Sequence, residues 1–224
     1  MAGPRIALIH ALPESSEPAN RAFAELWPEA ARFNLLDDSL APDLAAAGTI
    51  TPAIAERFLT LGRYAAGTGA KGILFTCSAF GTAIAAVKRD LSVPVLTPNE
   101  AALEAALRAG PRIALLSTFP ATIPSMTEEL KAMAAAQGMT PTISSGVAQG
   151  ALAALKAGDA ATHDRLIAAA AASLPPVDAL VLAQFTMARA AAAIQSVPGC
   201  VVLTTPESAV AKLRALVEEC AGTC

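Results

Sequence analysis

The residue with most chemical potential is Cys77, in the run Thr76-Cys77-Ser78. It follows the apolar stretch Gly72–Phe75 and opens an alanine-rich helical stretch reaching about Lys88. A thiol where a strand ends and helix N–H groups begin is poised to act as a nucleophile or proton carrier, because cations and helix N-termini lower a thiol's pKa. The plain alternative is a small buried apolar side chain. A second constellation is Leu116-Ser-Thr-Phe-Pro-Ala-Thr-Ile-Pro-Ser125. There Ser117, Thr118, Thr122 and Ser125 offer hydroxyls and backbone donors that suit a carboxylate, or merely cap the next helix. His10, ending the first apolar run, is a candidate base or orienting group, or a hydrogen-bonded structural residue.

Other motifs favour structural explanations. Gly67-Thr-Gly-Ala-Lys-Gly72 has the letters of a dinucleotide fingerprint but follows a helix and precedes a strand, so it reads as a helix C-cap. Thr97-Pro-Asn-Glu100 reads as a capping box, with Thr97 and Asn99 within reach of a site at the strand ends; Thr205-Pro-Glu207 similarly starts a helix. Asp37-Asp38-Ser39 reads as a solvated turn or cap. His163, in a polar stretch, is assigned to the surface. Cys220 and Cys224 form a lone C-x3-C in a chain with 2 histidines, so no metal is expected.

Positioning these residues requires a core, and 224 residues at 54% hydrophobic supply one. The net charge of −3, with 16 basic against 19 acidic residues and no basic run, argues against nucleic acid and anionic membrane as partners. The apolar stretches are too short to span a bilayer, and Met1 to Ile9 reads as a strand rather than a signal peptide, so a cytoplasmic protein with reduced thiols is expected.

Short apolar runs alternating with alanine-rich helical segments predict an α/β fold of parallel strands and crossover helices. Strands are predicted near Arg5–Ile9, Arg32–Leu36, Gly72–Phe75, Val93–Leu96, Arg112–Leu116, Thr140–Ile143, Ala179–Leu182 and Val201–Leu203. The chain also repeats itself. Arg5-Ile-Ala-Leu-Ile-His-Ala-Leu-Pro13 aligns with Arg112-Ile-Ala-Leu-Leu-Ser-Thr-Phe-Pro120, 5 of 9 positions being identical. The same shift sets Gly72–Cys77 against Ala179–Gln184 and Val95-Leu-Thr against Val202-Leu-Thr. The repeat predicts two pseudosymmetric halves, 1–98 and 99–206, each a parallel sheet flanked by helices, with a C-terminal helix over 207–224 packing back on the first. A ligand is expected at the strand C-termini between the halves, walled by His10 and Ser117, Cys77 and Gln184, Thr97 and Thr204.

With the repeat, the strand-end Thr-Cys-Ser, the Ser/Thr-rich turn and Leu182-Ala-Gln-Phe-Thr186 in place, nearly the whole chain resembles the aspartate/glutamate racemase superfamily. That group also includes hydantoin racemases, maleate isomerases and arylmalonate decarboxylases. The resemblance implies a cofactor-independent enzyme acting on a small carboxylate or amino-acid derivative. Cys77 then exchanges a proton beside a carboxylate or carbonyl. The Ser117–Ser125 turn holds the substrate carboxylate, Ser78 and Thr186 are flanking donors, and Ala79, Asn99 and Phe185 are further substrate-binding candidates. Relatives often self-associate, so a homo-oligomer is a further expectation.

Two departures accompany the likeness. Gln184 stands at the position of the racemases' second cysteine, and His10 replaces the aspartate that glutamate racemases carry after the first strand. Inverting a stereocentre needs acid/base groups on opposite faces. One thiol therefore leaves three reactions: a racemase whose second acid/base is His10 or Glu100, a lyase or decarboxylase protonating an enolate, or an isomerase using Cys77 covalently. Gln184 is assigned to substrate orientation. A binding protein that lost its chemistry is the competing class.

Overall fold

The computed structural model describes residues 3–194 and 199–222. The chain divides into two compact units, Met1–Pro98 with Ala209–Cys224 and Asn99–Ser208. Each carries a four-stranded, all-parallel sheet.

In the first unit β1 (Arg5–His10), β2 (Ala31–Leu36), β3 (Gly72–Phe75) and β4 (Val95–Leu96) are ordered β2-β1-β3-β4. The central strands β1 and β3 are covered on both faces, which is why they read as unbroken apolar runs rather than alternating ones. One face, from Ala7, Ile9, Ile73 and Phe75, packs against α3 (Pro52–Gly67) and α4 (Gly81–Asp90) through Ile54, Phe58, Ile84 and Val87. Phe58 stacks on Phe75 with ring centroids 5.4 Å apart and meets Phe80 at 4.8 Å. On the opposite face Gly72 and Ile6 lie against Leu213 and Val217 of the C-terminal helix, which spans Thr205–Gly222. The helix α1 (Ser16–Leu26) and the short α2 (Leu40–Ala47) complete the unit.

The second unit repeats the topology with β5 (Arg112–Ser117), β6 (Thr142–Val147), β7 (Ala179–Leu182) and β8 (Val201–Thr204), ordered β6-β5-β7-β8. Ile113, Leu115 and Val181 face α5 (Glu100–Ala109) and α6 (Thr122–Ala136). Ala114, Leu116 and Leu182 face α7 (Ala151–Lys156), α8 (Ala160–Ala172) and a 3-10 segment over Phe185–Ala193; the Thr205–Gly222 helix is α9. Among the described residues no helix is long and apolar enough to cross a membrane.

Three local expectations are corrected. β6 runs Thr142–Val147 rather than Thr140–Ile143, since this edge strand is held by its ladder to β5 and carries the polar run Ser144-Ser145-Gly146. His163 is not on the surface: it is fully buried, sharing the inward face of α8 with Ile167 four residues on, and its Nδ1 pairs with Asp164 at 2.8 Å. α5 starts at Glu100 rather than just after Thr97, so Asn99, its backbone in the αR region and its side chain making no cap bond, holds the N-cap position that the capping-box pattern gives to Thr97. The glycine run does end a helix: α3 stops at Gly67, and Gly69, at φ 85°, makes the left-handed turn into β3. Asp37 and Ser39 lie at the head of α2, bound by Arg57. Cys224 lies outside the described residues.

Candidate active site

Parallel pairing brings the Thr76 N–H to Ile9 O at 3.1 Å, and in the second unit the Ala183 N–H to Leu116 O at 2.8 Å. Cys77 and Gln184 are thus the first residues beyond the ladder at equivalent strand ends. Each caps a 3-10 turn, Ser78–Phe80 in the first unit and Phe185–Ala193 in the second.

Cys77 is half-buried, with its sulfur accepting a hydrogen bond from the Ala79 N–H. The expectation of a depressed thiol pKa is overturned: burial pushes it up to about 11, against the smaller opposing pull of the Ala79 N–H. The reason is local. Three residues of 3-10 helix separate Cys77 from α4, so a single N–H faces the sulfur where a full helix terminus would offer several. The thiol is therefore neutral at physiological pH. Ser78 is buried beside it and Ala79 half-buried.

His10, at the end of β1, is 1% exposed, and both ring nitrogens are engaged. Nε2 lies 2.9 Å from Asn34 Oδ1, which also accepts from Asn20 Nδ2 at 3.0 Å. Nε2 must then donate, and in the neutral ring Nδ1 accepts from Thr76 Oγ1 at 2.8 Å. Burial lowers the His10 pKa, with the Asn34 bond pulling the other way, and the neutral tautomer results. Both ring nitrogens are thus hydrogen-bonded within the unit. Sequence reasoning placed Thr76 beside Cys77 but gave it no partner, and it missed Asn34, a polar residue in the edge strand β2.

In the second unit the structure joins Thr118, Thr122 and Gln184. Gln184 Oε1 accepts from the Thr118 N–H at 2.8 Å and from Thr118 Oγ1 at 2.9 Å, while Nε2 donates to Thr122 Oγ1 at 3.3 Å. Ser117 stays apart: Ser117 Oγ donates to Phe119 O at 2.7 Å and accepts the Phe119 N–H at 2.9 Å, closing its own turn. Ser125 lies one turn further along α6, Thr186 is half-buried in the 3-10 segment and Phe185 is closed off at 2% exposure. Asn99 is buried and its Oδ1 has no hydrogen-bond partner. Among the described residues no three His, Cys, Asp or Glu side chains come together as metal ligands.

Two parallel α/β units of one topology, with a thiol past the central ladder of one and a carboxamide at the same place in the other, define a duplicated cysteine-bearing enzyme fold. The Asp/Glu/hydantoin racemase family profile matches residues 16–213, and the chain belongs to that family. It is a racemase/isomerase-type enzyme. Similar solved structures include a glutamate racemase of Bacillus anthracis, 14% identical, with TM-score 0.71 over 98% of this chain and 83% of that one. An allantoin racemase of Klebsiella pneumoniae is 18% identical, with TM-score 0.69 over 97% and 89%. A glycine-to-cysteine mutant of arylmalonate decarboxylase in a sulfate-associated form is 18% identical, with TM-score 0.64 over 96% and 94%. No curated protein matches the sequence.

Proposed function

We propose that this is a cytoplasmic, cofactor-independent enzyme that transfers a proton at the carbon next to a carboxylate or carbonyl of a small carboxylate or amino-acid derivative, with Cys77 as the proton carrier. The observation that carries the reading is a half-buried neutral thiol just past the β3 ladder, matched in the second unit by a carboxamide that cannot exchange a proton. A neutral thiol in the resting state is an acid first. It can deliver its proton to an enediolate carbon, leaving a thiolate that regains a proton from solvent.

One thiol serves one face. His10 has both nitrogens occupied, so it is a poor second base. With Gln184 at the matching position and Glu100 the remaining candidate for a second base, we favour one-sided chemistry, in which a substituted malonate loses carbon dioxide and the resulting enediolate takes the Cys77 proton. The raised thiol pKa weighs against covalent isomerisation, which starts from a thiolate.

The test is turnover of amino acids, hydantoins and substituted malonates in deuterated water. Carbon dioxide release with one deuteron in the product supports decarboxylation, and deuterium exchange into recovered substrate supports racemisation. Cys77→Ala is expected to abolish either. Ligand binding without turnover, unchanged by Cys77→Ala, would make the chain a binding protein and overturn the proposal.

A further inference from the structure

In the turn after β5 the Thr118 N–H and hydroxyl converge on one acceptor oxygen, a pair of donors that a carboxylate oxygen could take as well as an amide oxygen, and in this structure they are already filled. Gln184 Oε1 takes both the Thr118 N–H and the Thr118 hydroxyl, at 2.8 and 2.9 Å, and the far side of the same amide is fixed by Thr122 Oγ1. Thr118 is 7% and Thr122 1% exposed, so water competes little for these bonds. A ligand carboxylate oxygen and an amide oxygen seek the same two donors, and only one fits there at a time.

The internal repeat makes the arrangement specific to the second unit. The positions matching Gln184 and Thr118 are Cys77 and Ala11. Alanine has no hydroxyl to offer, so the first unit cannot reproduce the pair. The glutamine's length and the threonine's hydroxyl work together, joining residues 66 apart in sequence across the ends of β5 and β7.

We infer that Gln184 is a built-in occupant of the Thr118 carboxylate site: its amide oxygen stands in for a ligand carboxylate, and it sets the affinity of the second unit for small carboxylates by having to be displaced. A carboxylate accepts more strongly than a neutral amide, since charge-assisted hydrogen bonds are about twice as strong as neutral ones. The tethered amide, however, is always present. Removing it therefore unmasks the site. The inference deepens the proposed function, because it names Gln184 as the residue governing carboxylate entry. Its readout is separate from turnover: Cys77 chemistry can fail while this binding stands, and the reverse.

The test is acetate titration of the full-length, nitrogen-15-labelled protein, following the Thr118 backbone amide, with chloride at equal ionic strength as the control. The wild type is expected to shift weakly. Gln184→Ala should bind acetate about tenfold tighter or more, since two hydrogen bonds no longer have to be broken. Gln184→Asn, one methylene too short to reach Thr118, should behave alike and serves if the alanine variant folds poorly. Gln184→Glu keeps a carboxylate on the same donors and should stay insensitive to acetate. In the Gln184→Ala background, Thr118→Val should lose much of the gain. Equal acetate affinity in the wild type, Gln184→Ala and Gln184→Asn would overturn the inference, as would acetate binding that leaves the Thr118 amide unmoved.

Discussion

Thr76 Oγ1 and His10 Nδ1 are hydrogen-bonded across 2.8 Å, tying the end of β3 to the end of β1 one residue before Cys77. In the neutral ring Nδ1 accepts from the Thr76 hydroxyl, which also lies 3.4 Å from Ile9 O, and on the other side of the ring Nε2–H is committed to Asn34. His10 is thus a positioning residue for the strand end that carries the thiol. Its depressed pKa, set first by burial, makes the clamp sensitive to acid.

The sign follows from proton linkage. In the unfolded chain His10 takes up a proton near its ordinary value of 6.5, while in the folded unit it does so only at lower pH. Its contribution to stability is complete above about pH 6.5 and is lost as pH falls through the folded value, with a limiting slope of about 1.4 kcal/mol per pH unit. His10→Gln should remove that slope. Urea unfolding from pH 7.5 to 4.5 checks it, because subtracting the variant's curve from the wild type's cancels whatever the rest of the chain contributes. Parallel curves would refute the clamp.

Cys77 makes the opposite demand on pH. With its thiol pushed up to about 11, alkylation by iodoacetamide should be slow at pH 7 and still climbing at pH 10. Peptide mapping separates Cys77 from the chain's other cysteines, and free cysteine in solution provides the unperturbed reference. A Cys77 rate that levels off below pH 8.5 would mean an activated thiolate, and would return the covalent mechanism to first place.

How much of this was legible in the sequence depends on how local each determinant is. β1, β3, β5 and β7 announce themselves because strands buried on both faces are continuous apolar runs, and the internal repeat reveals their pairing into two similar sheets. The edge strand β6 does not, since half its residues are polar and its bounds follow from register against β5. Cys77 could be placed at a strand end, but the direction of its pKa shift could not, because burial is tertiary and outweighs the one N–H the short turn supplies. His163 was misplaced for a related reason. One inward-facing residue in a polar stretch declares itself only through its partner Ile167 on the same helix face. The Gln184–Thr118 bond joins two loops through side chains, and no periodicity records it.

Gly72 links the strand bearing Cys77 to the C-terminal helix α9. A Cβ built there would stand 2.9 Å from Val217 Cγ2 and 3.1 Å from Leu213 Cδ1, closer than side chains pack. Those two methyl groups fill the space over β3, and Val217 is 6% exposed. Gly72→Val should therefore cost about 1–3 kcal/mol by overpacking. Gly72→Ala should cost less, because the clashing atoms are side-chain ends that can give way. The decisive measurement is a double-mutant cycle. If the helix is seated on β3 as described, Val217→Ala, destabilising alone through its cavity, should recover part of the Gly72→Ala loss when combined with it, giving a coupling above about 0.5 kcal/mol in denaturant unfolding. Strict additivity would mean that α9 is not held against Gly72, and that the first unit's sheet is stabilised from one face alone.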